Sequence, residues 1–431
     1  MTANSRRIDD VFAAAARNDP SRVHLILMDG AHATYGETWE RAARLAGALV
    51  AAGIEENDRV CAFSRNSREL VEFYIACGIA GVIGVAINGM STAVEVGRIF
   101  ADCAPTGLFV EDHLRGRLPA GSALDRMRLR IVTHGAAAAP GWTEYEAALA
   151  DAAPISPRRS SPSDPAMMIY SSGTTGAPKG ILLRHSALVA NAEMTSGVLG
   201  LRSDDRLMTI LPLFSSFGHS FDFMQAGLVG ASTVILEQFD EAKAVQAVER
   251  FRVTFLAGVP TMFARMFDAA NIVGCDLSSL RLLDVGGGPV SPVLKQMLAQ
   301  KFGIEIVESY GLTEISPVAS VQKPGVASPL GSCGPPLPGV EARVIGLDGK
   351  RAKPGEAGEL CFRSDTLMIG YWNQPDQTAE SVRDGWLRSG DIGKIDENGE
   401  IHILDRSKDM IVSNGYNVYP KEVETEIDAI P

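Results

Sequence analysis

The chain is short of positive charge. Its 40 Lys and Arg face 52 Asp and Glu, a formal net charge of −12 over 431 residues. That balance argues against broad nucleic-acid binding, which needs a basic face, so an anionic ligand would have to meet a local cation. Paired cysteine spacing is missing as well. Cys61, Cys77, Cys103, Cys275, Cys333 and Cys361 contain no C-x-x-C, so neither a zinc site nor a disulfide framework is indicated, and reduced thiols in the cytoplasm are the simpler reading. The first twenty residues, MTANSRRIDDVFAAAARNDP, place acids inside the apolar run and lack a secretory h-region. The uncharged run Phe73–Val94 holds five Gly or Asn residues, and is expected to be buried helix, turn and strand rather than a membrane span. No repeat recurs at a fixed period. A Walker A loop is absent too: Gly173, Gly176, Pro178, Lys179 and Gly180 have the wrong spacing, with no Ser or Thr after the Lys.

What is present suits a large folded core. The chain is 46% hydrophobic and 21% charged, and its length suggests two or three domains. Thr34 and Glu37 form a capping box before YGETWERAARLAGALVAAG, and a second helix is expected from Ser67. Strands are expected at DRVCAFS, GVIGVAIN, RLMTIL, STVILE, VTFLA and LRLLDV, with helices such as DEAKAVQAVERFR between them. The alternation predicts an α/β fold with mostly parallel sheets. From about residue 329 to 404 Gly and Pro become dense. Short strands there (EARVIG, GELCFRS, EIHILDR) and a hairpin turn at Asn398-Gly399 predict a smaller β-rich subdomain.

Four stretches carry chemistry. YSSGTTGAPKG (Tyr170–Gly180) follows the strand-like AMMI and combines small residues, hydroxyls and one Lys, a set that suits phosphate oxygens better than it suits a linker. ESYGLTE (Glu308–Glu314) puts a ring, a Gly, a hydroxyl and a carboxylate close together; it could hold a base, a phosphate and Mg²⁺, or be an ordinary turn after a strand. In WLRSGDIG, Asp391 either accepts hydrogen bonds from ribose hydroxyls or caps a turn. DRSKDM packs Asp405, Arg406, Lys408 and Asp409 into a charged turn.

In this order, the four stretches resemble the adenylate-forming enzymes, which include acyl-CoA synthetases, firefly-luciferase-like enzymes and the adenylation domains of peptide synthetases. The texture is most similar to acyl- and aryl-CoA ligases, and the resemblance spans nearly the whole chain. It implies a large N-terminal domain of helix-covered sheets over 1–404, a hinge at 405–408, and the start of a small α+β domain from 409 to 431. It implies activation of a small-molecule carboxylic acid by ATP and Mg²⁺ to an acyl-adenylate, then transfer to the thiol of coenzyme A or of a carrier protein.

By the same resemblance, Ser171, Ser172, Gly173, Thr174, Thr175, Gly176 and Lys179 surround the β- and γ-phosphates, and Thr175 and Glu314 contact Mg²⁺. Gly286, Gly287, Gly288 and Pro289 lie beside adenine and the acyl group. Glu308, Ser309, Tyr310, Gly311 and Thr313 form the adenine and α-phosphate segment, with Tyr310 as stacking face. Asp391 binds the ribose, Arg406 lies near ribose and phosphates, Lys408 is the hinge residue, and Gly415 borders the pantetheine tunnel. Many relatives carry a His where this chain has Ser215; His219 either takes its place or is a core or surface residue. Phe217, Phe221, Val259, Val285, Gly286, Gly311 and Val318 are expected pocket walls or plain core. With no Arg beside them, they favour an apolar fatty or aromatic acid over a dicarboxylate. The family's catalytic Lys lies beyond the point at which this sequence stops, Pro431, so the expectation is a chain that binds nucleotide but adenylates poorly. A monomer and a homodimer are both compatible with the sequence, and a non-catalytic nucleotide-binding module is the alternative from another class.

Overall fold

The computed structural model describes residues 6–418 apart from 120–121, 136–139, 159, 172–178, 269–271, 289–290, 347, 407–410 and 414–415. The central sheet has eight strands, in the order Gly370–Tyr371, Lys179–Arg184, Pro165–Ser171, Ile83–Ile87, Arg59–Phe63, Gly107–Glu111, Leu129–Thr133, Thr143–Glu144. From Pro165–Ser171 onward the pairings are parallel, and the first two strands are added antiparallel. Crossover helices cover parallel strands, so the strands are buried on both faces and read as unbroken apolar runs. Ile83–Ile87 is buried at every residue.

The uncharged run Phe73–Val94 resolves as expected into helix, turn and strand. Arg68–Ala80 is a helix capped by Ser67, whose side chain accepts from the Leu70 N–H at 3.1 Å; every residue from Leu70 to Ala80 is buried. Gly81 ends it at φ 69°, a left-handed turn that a side chain would strain. Burial of Phe63, Phe73 and Phe109 contributes about 1.5–3 kcal/mol each. Among the described residues, no helix is long and apolar enough to cross a membrane.

Two further sheets carry the other strands of the α/β region. One runs Arg206–Met208, Ser232–Ile235, Val23–Leu27, His32–Thr34; the other runs Phe255–Gly258, Leu282–Val285, Glu305–Gly311, Val318–Val321. The β-rich region forms a five-stranded antiparallel sheet from Glu341–Ile345, Gly358–Arg363, Trp386–Ile395, Val382–Arg383 and Ile401–Arg406. Asn398-Gly399 lies in the turn between its last two strands, with Gly399 at φ 83°. The short strand Gly370–Tyr371, from within this stretch, joins the central sheet instead. Ile411–Ser413 and Tyr416–Val418 pair antiparallel as a separate two-stranded sheet.

Two buried asparagines tie these layers together. Asn66, just past Arg59–Phe63, donates to the carbonyls of Leu211 (2.9 Å) and Leu236 (3.1 Å) and accepts from the Leu213 N–H (2.7 Å). Asn191 lies in the largely buried helix His185–Leu199. It donates to the carbonyls of Ile315 (3.1 Å) and Val318 (2.8 Å) and accepts from the Val318 N–H (3.1 Å). Asn191→Leu, of similar bulk, leaves those backbone groups buried and unpaired at about 1–3 kcal/mol each. We expect a loss of roughly 2–4 kcal/mol in urea unfolding; a loss within about 0.5 kcal/mol would mean that water replaces the amide.

Three histidines are also sealed inside. His24, His185 and His219 are each 1% exposed, and burial pulls each down to about 3. The unfolded chain takes up these protons near pH 6.5 and the folded chain does not, so this part of the stability is complete above that pH and drains away as pH falls toward 3. Asp9 and Asp284, pushed up to about 6 and 7 by burial, act in the opposite sense, so a single-site difference is the clean readout. Between about pH 6 and 4, His219→Gln should lose stability less steeply than the wild type, by about 1.4 kcal/mol per pH unit. Equal slopes would mean that His219 is charged in the fold.

Candidate active site

The strands Pro165–Ser171 and Lys179–Arg184 are antiparallel neighbours, with Ser171 opposite Lys179. Ser172, Gly173, Thr174, Thr175 and Gly176 lie outside the described residues, as do Pro289, Lys408 and Gly415. The Lys179 ammonium stands 5.3 Å from the centroid of the Tyr371 ring, a cation–π distance. The Tyr371 hydroxyl donates to Glu314 Oε1 at 2.9 Å. Lys179, Tyr371 and Glu314 therefore form one chain of contacts, although 57 residues separate the last two. Burial, then the Glu314 charge, pushes the Tyr371 hydroxyl well above its ordinary range, so it stays protonated and donates.

Glu314 lies in the short 3-10 turn Thr313–Ile315, which follows the strand Glu305–Gly311. Asn191 clamps the carbonyl at the end of this turn. The Thr313 hydroxyl is 2.9 Å from the hydroxyl of Ser216, a residue the sequence reading passed over. At the other end of the segment the Tyr310 hydroxyl donates to Asp391 Oδ2 at 2.6 Å. Burial, then the Asp391 charge, raises the Tyr310 pKa well above the phenol range. Asp391 sits on Trp386–Ile395, directly opposite Arg406 on the neighbouring strand. Glu308 is paired to Lys295 at 3.1 Å, and its N–H donates to Gln322 Oε1 at 3.0 Å. Lys295 was not foreseen either; its pairing crosses from the helix Pro292–Phe302 to the strand.

The expected pocket walls separate into two faces. The Phe217 and Phe221 rings meet edge-on, 4.8 Å between centroids, and Phe221 stacks over Phe255. Val259 and Val318 belong to the same core cluster as these rings. Gly286 is the point of closest approach: a Cβ there would sit 3.0 Å from the Phe217 ring and 3.2 Å from Ser309 Oγ. A Cβ on Gly311 would sit 2.1 Å from the Pro317 carbonyl oxygen, and only Gly fits. Gly287 has φ 78°, with Val259 nearest, and Gly288 lies against Pro260.

Of the two readings open for Val285, pocket wall or plain core, its packing matches the second: it lies on the opposite side of its strand, in the cluster of Leu283 and Ile306. Side chains alternate along a strand, so the rings' face falls to Asp284, which the sequence reading took as plain strand. Asp284 accepts from the Ser309 hydroxyl at 2.9 Å. Ser215 caps the turn that follows it: its hydroxyl donates to the Pro212 carbonyl at 2.8 Å and accepts from the Gly218 N–H at 3.1 Å. His219 lies in the interior, between the rings of Tyr74 and Phe223 at 4.9 Å from each.

A family model described as "AMP-binding enzyme" matches residues 12–372. Feruloyl-CoA synthase of an Amycolatopsis species is 36% identical over 403 residues, covering 93% of this chain and 79% of that protein. The fatty acid–[acyl-carrier-protein] ligase ScoC of Streptomyces coeruleorubidus is 32% identical over 424 residues, 96% of this chain and 80% of the relative. Among solved structures, the anthranilate CoA ligase AuaEII in complex with anthranoyl-AMP superposes with a TM-score of 0.91 at 27% identity, covering 100% of this chain and 84% of that one. The order of motifs, the sheets that carry them and these matches agree, and the chain belongs to the AMP-binding enzyme family.

Proposed function

We propose that the protein is an ATP-dependent, AMP-forming acid–thiol ligase that activates a carboxylic acid and passes the acyl group to coenzyme A. The observation that supports this most is one strand-and-turn segment with a donor–carboxylate pair at each end: Tyr310 with Asp391, and Tyr371 with Glu314, the latter extended to Lys179. In the first step a carboxylate oxygen attacks the α-phosphorus while the bond to pyrophosphate breaks. The obstacle is anion meeting anion, so catalysis is positioning plus charge stabilisation. Lys179, with Ser171, Ser172, Gly173, Thr174, Thr175 and Gly176, holds the β- and γ-phosphates; the Tyr310 ring carries adenine; Asp391 accepts from the ribose hydroxyls; Arg406 adds charge beside them. Glu314 suits Mg²⁺: Oε1 accepts from Tyr371, and its other oxygen accepts nothing among the described residues, a hard ligand of the kind that cation takes. When bound, Mg²⁺ neutralises phosphate charge. In the second step the thiol sulfur attacks the acyl carbon, the bond to AMP breaks, and the thiol proton goes to solvent. Lys408 serves as hinge and Gly415 borders the thiol path.

The acid lies against Phe217, Phe221, Gly286 and Val318, walls that favour an aromatic or fatty acid. ATP and free coenzyme A are supplied in the cytoplasm, and the six free cysteines suit that reducing compartment. A carrier protein as acceptor is the second reading, favoured by the similarity to an acyl-carrier-protein ligase. Thioester assays with coenzyme A and with a holo carrier protein separate the two.

The activation step is tested by calorimetry with AMP and with non-hydrolysable acyl-sulfamoyl adenosines, alongside acid-dependent pyrophosphate exchange. The mimics should bind far more tightly than AMP, because they present both halves of the intermediate. Mimics no tighter than AMP would overturn acid activation. Lys179→Ala should weaken ATP by about tenfold or more and leave AMP within about twofold, since AMP lacks the phosphates that Lys179 serves. Asp391→Ala should instead weaken ATP and AMP alike, by about tenfold or more, because both carry the ribose. Unchanged AMP affinity would reduce Asp391 to a turn residue.

A further inference from the structure

Gln322 completes a strand pair with its side chain. Val318–Val321 pairs with Glu305–Gly311 as far as Val321, which lies opposite Ser309. One residue on, the Gln322 N–H still donates to the Glu308 carbonyl at 3.0 Å, but the Glu308 N–H is met by the Gln322 amide oxygen, also at 3.0 Å. The Lys295 ammonium reaches the same oxygen at 3.4 Å while it pairs with Glu308. The other end of the amide donates to the Ser332 carbonyl at 2.7 Å. Gln322 and Ser332 are both buried, so a partner lost from this chain is not cheaply replaced by water.

The chain of bonds runs on to a second sheet. The Ser332 hydroxyl accepts from the Gly334 N–H at 2.8 Å and donates to the Glu400 carboxylate. Glu400 leads into Ile401–Arg406, and that strand is cross-bonded to the same segment: the Cys333 N–H donates to the Ile401 carbonyl at 2.8 Å, and the Ile401 N–H donates to the Gly334 carbonyl at 3.0 Å. Gly334 has φ 83°, and a Cβ there would sit 2.2 Å from the Val321 carbonyl carbon, so only Gly lets the segment lie this close to the strand end. The two sheets meet again where Tyr310 donates to Asp391, opposite Arg406. In the reading above, ribose hydroxyls share that carboxylate with Tyr310. The route through Gln322, Ser332 and Glu400 contains no residue assigned to a ligand, so it keeps the sheets in register while the first contact adjusts to a nucleotide.

We infer that Gln322 is a positioning residue of the nucleotide site: it ties the Glu308–Gly311 segment to the Ile401–Arg406 strand, so that nucleotide binding and the docking of that strand on Ser332–Gly334 strengthen one another. The inference rests on the nucleotide-binding part of the reading above. A nucleotide seated between Tyr310 and Asp391 needs both sheets at one spacing. The Gln322 route favours that spacing before the nucleotide arrives, which lowers the cost of binding, and linkage makes the gain reciprocal.

The test is hydrogen exchange at the Cys333 and Ile401 amides with and without saturating AMP, alongside calorimetry for AMP. In the wild type, AMP should slow both amides by about fivefold or more, the lower end of the usual coupling between sites. Glu400→Ala changes a half-buried residue outside the site. It should cut that slowing to about twofold or less and weaken AMP by about threefold or more. Glu400→Gln, which keeps an acceptor for the Ser332 hydroxyl, should restore both, a rescue that a loss of general stability would not show. Gln322→Leu should act in the same direction as Glu400→Ala and more strongly; if it does not fold, the two Glu400 variants decide. A wild type that binds AMP without slowing these amides, or slowing that persists in Glu400→Ala, overturns the inference and leaves the nucleotide site standing. No binding of AMP to the wild type overturns both.

Discussion

The amide of Asn191 is the constraint on which the geometry of the candidate site depends. The turn after Glu305–Gly311 is short and irregular, so its backbone groups cannot be satisfied by the sheet it leaves. Asn191 donates to the Ile315 carbonyl of that turn, and donates to and accepts from Val318 where the next strand begins, all from a helix that is itself largely buried in the core. A buried amide left unpaired on either side would cost more than the bonds contribute, so helix and turn must form together or not at all. Thr313 and Glu314 take their positions from that turn. Asn66 does the equivalent for the loop that leads into Ser215 and Phe217, joining it to the central sheet.

Electrostatics adds a second layer. In a protein of net charge −12, Glu308 and Glu314 lie on the segment where an anionic ligand is proposed to sit, and Asp391 lies against its Tyr310. Each carboxylate is matched to a donor before any ligand arrives: Lys295 for Glu308, the Tyr371 hydroxyl for Glu314, the Tyr310 hydroxyl for Asp391. Burial keeps both tyrosines protonated, so they act as fixed neutral donors. The carboxylates are thereby held in place and kept as acceptors, which suits hydroxyls and a cation and limits repulsion of phosphate.

Much of this was legible locally. The Thr34–Glu37 capping box forms as expected, with the Thr34 side chain accepting from the Glu37 N–H at 3.1 Å, and the Ser67 cap and most strands lie where periodicity put them. The family resemblance rested on contiguous motifs, each readable within about ten residues. What stayed hidden were relations between distant residues. Tyr371 carries no local mark of its contact with Glu314, and Ser216 none of its contact with Thr313. Val285 shows a finer limit: the strand was legible, but a short strand read alone does not say which parity faces which layer, so pocket wall and plain core both stayed open for it. The Gly370–Tyr371 strand escaped because two residues leave no periodicity to read.

The pairing of Val23–Leu27 has a temporal consequence. This early strand forms a hairpin with His32–Thr34, yet its other edge pairs with Ser232–Ile235, with Leu25 opposite Thr233. On a ribosome adding about 5–20 residues per second, the partner emerges roughly 10–40 s after the hairpin. Throughout that interval an apolar edge of the nascent chain is exposed, and Asn66 likewise waits for carbonyls 145 and 170 residues downstream. The first quarter of the protein therefore cannot close its core until more than half of the chain has been made, a delay that the stability of the finished fold would not reveal.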